Sequence, residues 1–539
     1  MQRNWLQQTE TKCGVVVLVG GLVMTASGAR AEVGEKAPGS ESAAPILLAQ
    51  AAVPPALPNV PPAADSTQST KPPAVANTAA PSSAMKIGGF TVTGSLRTRL
   101  EHWNFFDAPG FNDSYNFVGS TLRVGLAKQS KNQDINVELA APFLFNLPEN
   151  AIAPPPQGQL GLGASYRAAS GGRDGSIFLK QAFVRFKGLG AASNSLRLGR
   201  FEFWDGSEVA PKNAALAFIK RERINHRLIG NFGFSHVGRS YDGAQFVHNT
   251  PSSNITVMAA RPTEGVFQLN GLGGVKDVDF AYAAYTRPMK TSEMRLFGLL
   301  YRDGRNNVVK VDNRPAPVRA ADNQNIQIST VGAHYLKSFD MGQGTGDLLL
   351  WGALQGGDWG TQSHSANALA IEAGYQPKNS KLKPWLRAGY YRGSGDKNPA
   401  DGRHNSFFSV LPTPRIYARF PFYNQMNNED LFAQLYLRPN PKLTVRSDFH
   451  SLRLSSANDL FYSGGGAFQD NTFGYAGRPN PSGAKSLANI IDISVDYALN
   501  PETTLTFYVA QASGKSVINS IFPSGSNGRY AYIEATRKF

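Results

Sequence analysis

From residue 88 onward, apolar and polar side chains alternate with a period of two. Phe90, Val92, Gly94, Leu96 and Leu100 interleave with Thr91, Thr93, Ser95, Arg97, Arg99 and Glu101. Ile135, Val137 and Leu139 interleave with Asp134, Asn136 and Glu138. Near the end of the chain, Ile491, Ile493, Val495 and Tyr497 alternate with Asp492, Ser494 and Asp496, and Leu505, Phe507 and Val509 with Thr504, Thr506 and Tyr508. Successive side chains of a strand point to opposite faces, so each run predicts a strand with one apolar and one polar face. Read this way, the sequence predicts eighteen strands near 88–104, 116–127, 134–143, 176–187, 195–203, 239–249, 254–262, 277–287, 293–303, 325–337, 346–356, 365–376, 382–395, 429–438, 442–454, 487–498, 503–513 and 528–539.

Alternation alone suits a soluble sandwich equally well. The connections decide. Those after even-numbered strands are tight, as at 128–133, 250–253, 288–292, 377–381, 439–441 and 499–502, whereas 144–175, 204–238, 304–324, 396–428 and 455–486 are long. Tight turns on one side, long loops on the other and an even strand count are the layout of an outer-membrane barrel. The expected fold is all-β: a transmembrane antiparallel β-barrel over 87–539, its tight turns in the periplasm. The last strand runs through Ala531, Ile533 and Ala535 to Phe539, an ending usual in chains delivered to the outer membrane.

Composition agrees and removes other classes. Only 17% of the 539 residues are charged, and the longest apolar stretch, 14–28, is too short for a spanning helix. A helical transporter is excluded. The net charge of +15 comes from basic residues scattered singly, with no run that would suggest nucleic acid. Arg3 and Lys12, the apolar run Val15 to Met24 and the site Ala29-Arg30-Ala31 have the layout of a secretory signal peptide over 1–31. Residues 32–86, rich in Pro and Ala with three Pro-Pro pairs, read as a disordered periplasmic linker. The sole cysteine, Cys13, lies in the signal segment, so the expected mature chain has neither disulfide nor thiol chemistry. The localisation that follows is the outer membrane of a Gram-negative-type bacterium.

If the apolar set faces lipid, the polar set lines a lumen. Arg97, Arg99, Glu101, Arg123, Glu138, Arg387, Arg446, Asp448, Asp492 and Asp496 fall on that side, with Arg197 and Arg438. A charge facing lipid at mid-depth costs about 2–4 kcal/mol, so inward is the physical default. Eighteen strands enclose more space than wall side chains fill, leaving a wet path. Arginine outnumbers acid in this set and binds carboxylates bidentately. The expected partner is an anionic solute, with anion preference set by Arg97, Arg99 and Arg446 together; the bland alternative is that opposite charges only satisfy one another.

Four segments resemble the alginate-export outer-membrane proteins. They are Gly199-Arg200-Phe201-Glu202-Phe203 with Gly206; Arg227-Leu228-Ile229-Gly230 leading to Gly238-Arg239-Ser240-Tyr241-Asp242-Gly243; Leu411-Pro412-Thr413 with Arg415, Tyr417 and Arg419; and Asp459-Leu460-Phe461-Tyr462 leading to Phe473-Gly474-Tyr475. The resemblance implies an eighteen-stranded barrel whose arginine-rich constriction passes a polyuronate outward, with periplasmic export partners. Two departures stand out: Ile490 replaces a glutamate common in the family, and the last periplasmic turn, 499–502, is short. The Pro- and Gly-rich loop 144–175 is a candidate extracellular gate.

Signals for catalysis are thin. The eight histidines form no metal-ligand motif, no nucleophile elbow occurs, and no cofactor is implied. His450 lies between Asp448 and Ser451, but Ser451 should face lipid. Asp396, Asn398 and Asp401 miss calcium-loop spacing. The alternatives to export are an uptake porin for small organic acids and a receptor or adhesin with a closed barrel.

Overall fold

The computed structural model describes residues 85–539; the expected signal peptide, and the linker up to residue 84, lie outside them. Eighteen barrel strands occur among the described residues, one in each expected segment. They are β1 (Phe90–Asn104), β2 (Ser114–Gln129), β3 (Gln133–Phe145), β4 (Phe178–Lys187), β5 (Asn194–Phe201) and β6 (Tyr241–Asn249). Then come β7 (Asn254–Pro262), β8 (Val278–Pro288), β9 (Ser292–Asp303), β10 (Ile326–Asp340), β11 (Gly344–Trp359) and β12 (Gln362–Pro377). The last six are β13 (Trp385–Gly393), β14 (Asn428–Asn440), β15 (Leu443–Leu454), β16 (Ser486–Ala498), β17 (Thr503–Gly514) and β18 (Asn527–Lys538). Each pairs antiparallel with its neighbours in sequence, and β1 pairs with β18 from Ser95↔Lys538 to Asn104↔Arg529, which closes the sheet. Closure satisfies every ladder without water, the condition for crossing a bilayer with strands. Two short pieces extend the sheet: Lys86–Ile87, folded back on Thr91 and Phe90, and Arg403–His404 beside β12.

The outer wall is apolar as the alternation requires. Leu96, Leu100, Ile491, Ile493, Phe507, Val509 and Ile533 are all exposed. Turn lengths sort by parity with one exception: β11 and β12 are joined on the long-loop side by Gly360-Thr361 alone.

The interior differs from the wet, open space that strand number alone implies. The long loops fold inward and carry their own elements, α1 (Leu162–Ser170), α2 (Ala214–Arg223), α3 (Ala316–Ala321) and α4 (Ser516–Ile521). Two hydrophobic clusters result, and both lie inside the barrel. One joins wall aromatics Trp103, Tyr115, Phe117, Tyr508 and Tyr530 to loop residues Leu160, Tyr166, Phe232, Phe267, Phe420 and Phe522. The other joins Tyr282, Trp351 and Trp385 to Leu216, Phe218, Leu411 and Phe473. Burying a large apolar side chain stabilises by about 1.5–3 kcal/mol, so loops this apolar pack against the wall instead of standing in water. Loop 146–177, which holds most of the expected gate 144–175, is among them through Leu160, Leu162 and Tyr166.

Candidate functional site

Loop 202–240 folds into the lumen, and the first strands hold it. Arg97 donates to the carbonyls of Gly233 and Ser235. Arg99 donates to Phe234 O at 3.0 Å and lies over the Phe234 ring at 3.6 Å from its centroid. Thr121 donates to His236 O at 2.8 Å, and Lys180 to Val237 O at 3.0 Å. Gly119 opposes Arg99 in the ladder, and any side chain there would overlap the His236 ring. Burial, with Arg99 adding to it, pushes His236 down to about 3. Beneath this segment, on the tight-turn side, lies a cavity of about 220 Å³ lined by Arg97, Arg123, Lys180 and Lys538 together with Glu202, Asp496 and Glu534.

The rest of the wall carries a charge lattice that the loops complete. Asn213 caps α2 by accepting from Leu216 N at 3.1 Å, and the basic last turn suits the helix C-terminus. That orientation brings Arg223 to Glu372 at 2.8 Å and Lys220 to Glu293 at 2.7 Å. Glu372 also meets Arg387 at 3.1 Å and Arg227 at 3.4 Å, while Arg387 contacts Asp347. Arg295 pairs with Glu208 at 2.9 Å, Arg99 with Glu101 at 2.7 Å and Glu534 at 3.2 Å, and Arg123 with Glu202 at 2.8 Å. On the opposite wall Arg446 chelates Asp448, Tyr508 donates to Asp492 at 3.1 Å and Thr506 to Asp496 at 2.7 Å.

The interior arginines Arg197, Arg239, Arg415, Arg419, Arg438 and Arg478 have no carboxylate within 4.0 Å among the described residues. Arg239 and Arg478 are spent mainly on backbone carbonyls, whereas Arg197, Arg415, Arg419 and Arg438 stand apart. Aromatic faces hold three of them: Arg197 over Phe201 at 3.9 Å, Arg415 over Phe234 at 3.8 Å, and Arg438 over Phe218 at 4.6 Å. Arg419 lies beside the Tyr508 ring at 5.2 Å.

The motif residues join one loop to another. Gly230 N donates to Leu411 O and Leu411 N to Leu228 O, both at 2.8 Å, stitching loop 202–240 to loop 394–427. Thr413 accepts from Phe232 N and contacts His226 Nδ1, both at 3.1 Å, and only a glycine at 230 leaves room for its hydroxyl. Burial pushes His226 down to about 3 and Asp205, which accepts from Leu228 N and Ile229 N, up to about 6. Arg227 stacks on Tyr417 at 4.1 Å, whose hydroxyl donates to Asn225 O at 2.7 Å. Arg239 gathers the carbonyls of Gly230, Leu411, Gly465 and Ala467, tying in the hairpin Phe461–Gly464/Tyr475–Arg478. Pro412 is buried at this junction. Arg200 and Asp242 instead pair at 2.7 Å on the outer side, next to Leu198, where Gly199 (φ +118°) permits the close approach of Ala182.

The structure therefore sorts the twelve expected wall charges. Arg99 with Glu101, Arg123 with Glu138, Arg387, and Arg446 with Asp448 sit in ion pairs, Arg97 serves chiefly as a loop anchor, and Asp492 and Asp496 accept from hydroxyls. Only Arg197 and Arg438 stand free of carboxylates. Lys180, Asp347, Glu372 and Glu534 were missed; strand parity would have placed them. His236, Arg415 and Arg419 lie in loops, where no periodicity points to them. Asp396 is buried against Ser406 and Asp459, while Asp401 is exposed. Ser451 faces away from His450, on the side of Phe449.

An eighteen-stranded closed barrel with an apolar outside and a charged inside is a channel of the bacterial outer membrane, a porin. Its sequence matches the alginate export family over residues 96–519. The chain belongs to that family. No curated protein matches it. Among solved structures it is similar to OccK11 (OpdR) of Pseudomonas aeruginosa, at 10% identity and a TM-score of 0.48, over 83% of this chain and 96% of that one. It is likewise similar to Pseudomonas aeruginosa OpdK solved with vanillate, at 9% and 0.49, over 83% and 98%. Acinetobacter baumannii OccAB4 is similar at 8% and 0.48, over 83% and 98%.

Proposed function

We propose that this porin passes anionic solutes, with acidic polysaccharide of the alginate type exported through an arginine-rich lumen. The observation that carries the reading is the set of interior guanidiniums that stand apart, Arg197, Arg415, Arg419 and Arg438. A guanidinium already paired offers a passing carboxylate little, whereas one held against an aromatic face keeps its donors available. Several such sites, Arg415 and Arg419 together and Arg197 and Arg438 on separate strands, favour conduction over trapping, because a conducted ion must bind weakly and repeatedly. Family membership supports outward passage of a polyuronate and periplasmic partners that deliver it. Passage of a chain requires loop 202–240 to withdraw; a small acid already fits the 220 Å³ cavity, which is what favours an uptake porin for organic acids as the second reading.

Planar-bilayer reversal potentials in a salt gradient test the charge preference, and block of the current by oligouronates against simple organic acids tests the solute. An anion-selective current interrupted by oligouronates is the expected result. Cation selectivity would overturn the first half, and block by small acids alone the second.

A further inference from the structure

Asp448, His450 and Asp492 bring one imidazole nitrogen and two carboxylates together on the inner wall, their donor atoms all within 4.8 Å of one another. The register makes the cluster: Asp448 and Asp492 are direct cross-strand partners on β15 and β16, and His450 is the next inward residue after Asp448. Asp430, on β14, holds His450 Nδ1 with both oxygens, at 2.8 and 3.0 Å. A carboxylate on Nδ1 fixes the ring and its tautomer and directs Nε2 inward. Nε2 there has no hydrogen-bond partner, and neither has Asp492 Oδ1; both residues are only 2% exposed. Buried polar atoms left unpaired each cost about 1–3 kcal/mol, a cost that a bound ion would remove.

We propose that these three residues bind a divalent metal ion of the zinc class, with Asp430 as the group that orients the histidine. Ligands at about 2.0–2.2 Å from such an ion stand roughly 3.4 Å apart in a tetrahedron. His450 Nε2 and Asp448 Oδ2 are 4.0 Å apart, so a small side-chain rotation closes the site. The imidazole favours zinc-like ions over calcium or magnesium. Two cations oppose binding, Arg446 on Asp448 and Arg419 nearby, against three aspartates with the imidazole neutral. Arg446 has a second carboxylate to turn to, Glu222 at 3.6 Å. A bound ion would add positive charge beside Arg419 and lock β14, β15 and β16 to one another whatever solute the barrel passes.

The test uses the full-length barrel in detergent, stripped with a chelator, incubated with micromolar zinc and dialysed. Metal content by mass spectrometry should give one equivalent in the wild type and in His364→Ala, and none in His450→Ala or Asp492→Asn. Cobalt in place of zinc should give a visible absorption band in the wild type and in His364→Ala, and none in His450→Ala or Asp492→Asn. Asp430→Asn keeps all three ligands and should weaken zinc affinity by about 10–100-fold. Heat-modifiable migration on gels reports folding of each variant. A wild type that retains no metal, or a folded His450→Ala that retains the full equivalent, overturns the proposal.

Discussion

Replacing Arg97 by alanine should loosen loop 202–240 rather than simply remove a charge from the pore. Arg97 spends two donors on the carbonyls of Gly233 and Ser235, and its side chain is 17% exposed. A hydrogen bond from a charged donor is worth about 1.5–3 kcal/mol, and partial exposure lets water replace some of that, so the pair contributes about 2 kcal/mol to the inward position. At 1.4 kcal/mol per tenfold, the population of the withdrawn loop rises roughly 30-fold. Thr121→Val removes one neutral bond to the same segment, at 2.8 Å from His236 O, and should raise it about five-fold for about 1 kcal/mol. Single-channel recordings read both as longer dwell in a larger conductance level. The pair separates anchoring from charge, because Thr121→Val alters no charge. Unchanged dwell times in both folded variants would refute the anchoring role; a change in Arg97→Ala alone would mean that only its charge matters.

Three further outcomes follow from the same geometry. Gly119→Ala forces the His236 ring off the wall and should reproduce the larger conductance, measured as above; a wild-type trace would show that the ring has room to shift. Arg415→Glu with Arg419→Glu should move the reversal potential toward cation preference, most at low salt and least near molar salt, where the Debye length falls to about 3 Å; a salt-independent reversal potential equal to the wild type would contradict it. Lowering the pH from 7 to 4.5 should favour loop withdrawal. His226 and His236, depressed to about 3, stay neutral when packed but take up protons once released, so their contribution is present above about 6.5 and lost as pH falls toward 3. Asp205, raised to about 6, titrates in the opposite sense but singly against two. His236→Gln should blunt the acid response seen in dwell times, and an undiminished response would assign it elsewhere.

The wall was readable in the sequence because lipid imposes a rule on every second residue. A strand such as β1 must show Leu96 and Leu100 to hydrocarbon and hide Arg97, Arg99 and Glu101, so parity gives both the strand and the side. Turn lengths supplied the rest, since only a barrel in a membrane sorts them by side. No comparable rule governs the loops. Trp204 stacking on His226, or Arg239 reaching four carbonyls from three loops, depends on contacts between residues far apart in sequence. The motif segments around Arg227 and Leu411 are separate in the chain and adjacent in space, which explains their joint presence only after the loop junction is seen.

The same limit bears on the charges expected to set selectivity. Parity finds arginines on the wall, but a wall strand also places acids two residues away or directly across the ladder, as with Arg99 and Glu101 or Arg446 and Asp448. Reversing Arg99 or Arg446 would therefore leave buried carboxylates facing one another, and breaking a buried pair costs about 3–5 kcal/mol. The triple reversal of Arg97, Arg99 and Arg446 would report on folding before it reported on selectivity. The guanidiniums that stand apart lie where the ladder imposes no partner: Arg415 and Arg419 on an inward loop, Arg438 near a tight turn and Arg197 against aromatic rings. Two of these four ride on loop 394–427, which is stitched to loop 202–240 at Leu411 and Gly230. Anything that moves the loops to widen the passage then also moves these two arginines, so on the function proposed above conductance and selectivity should change together.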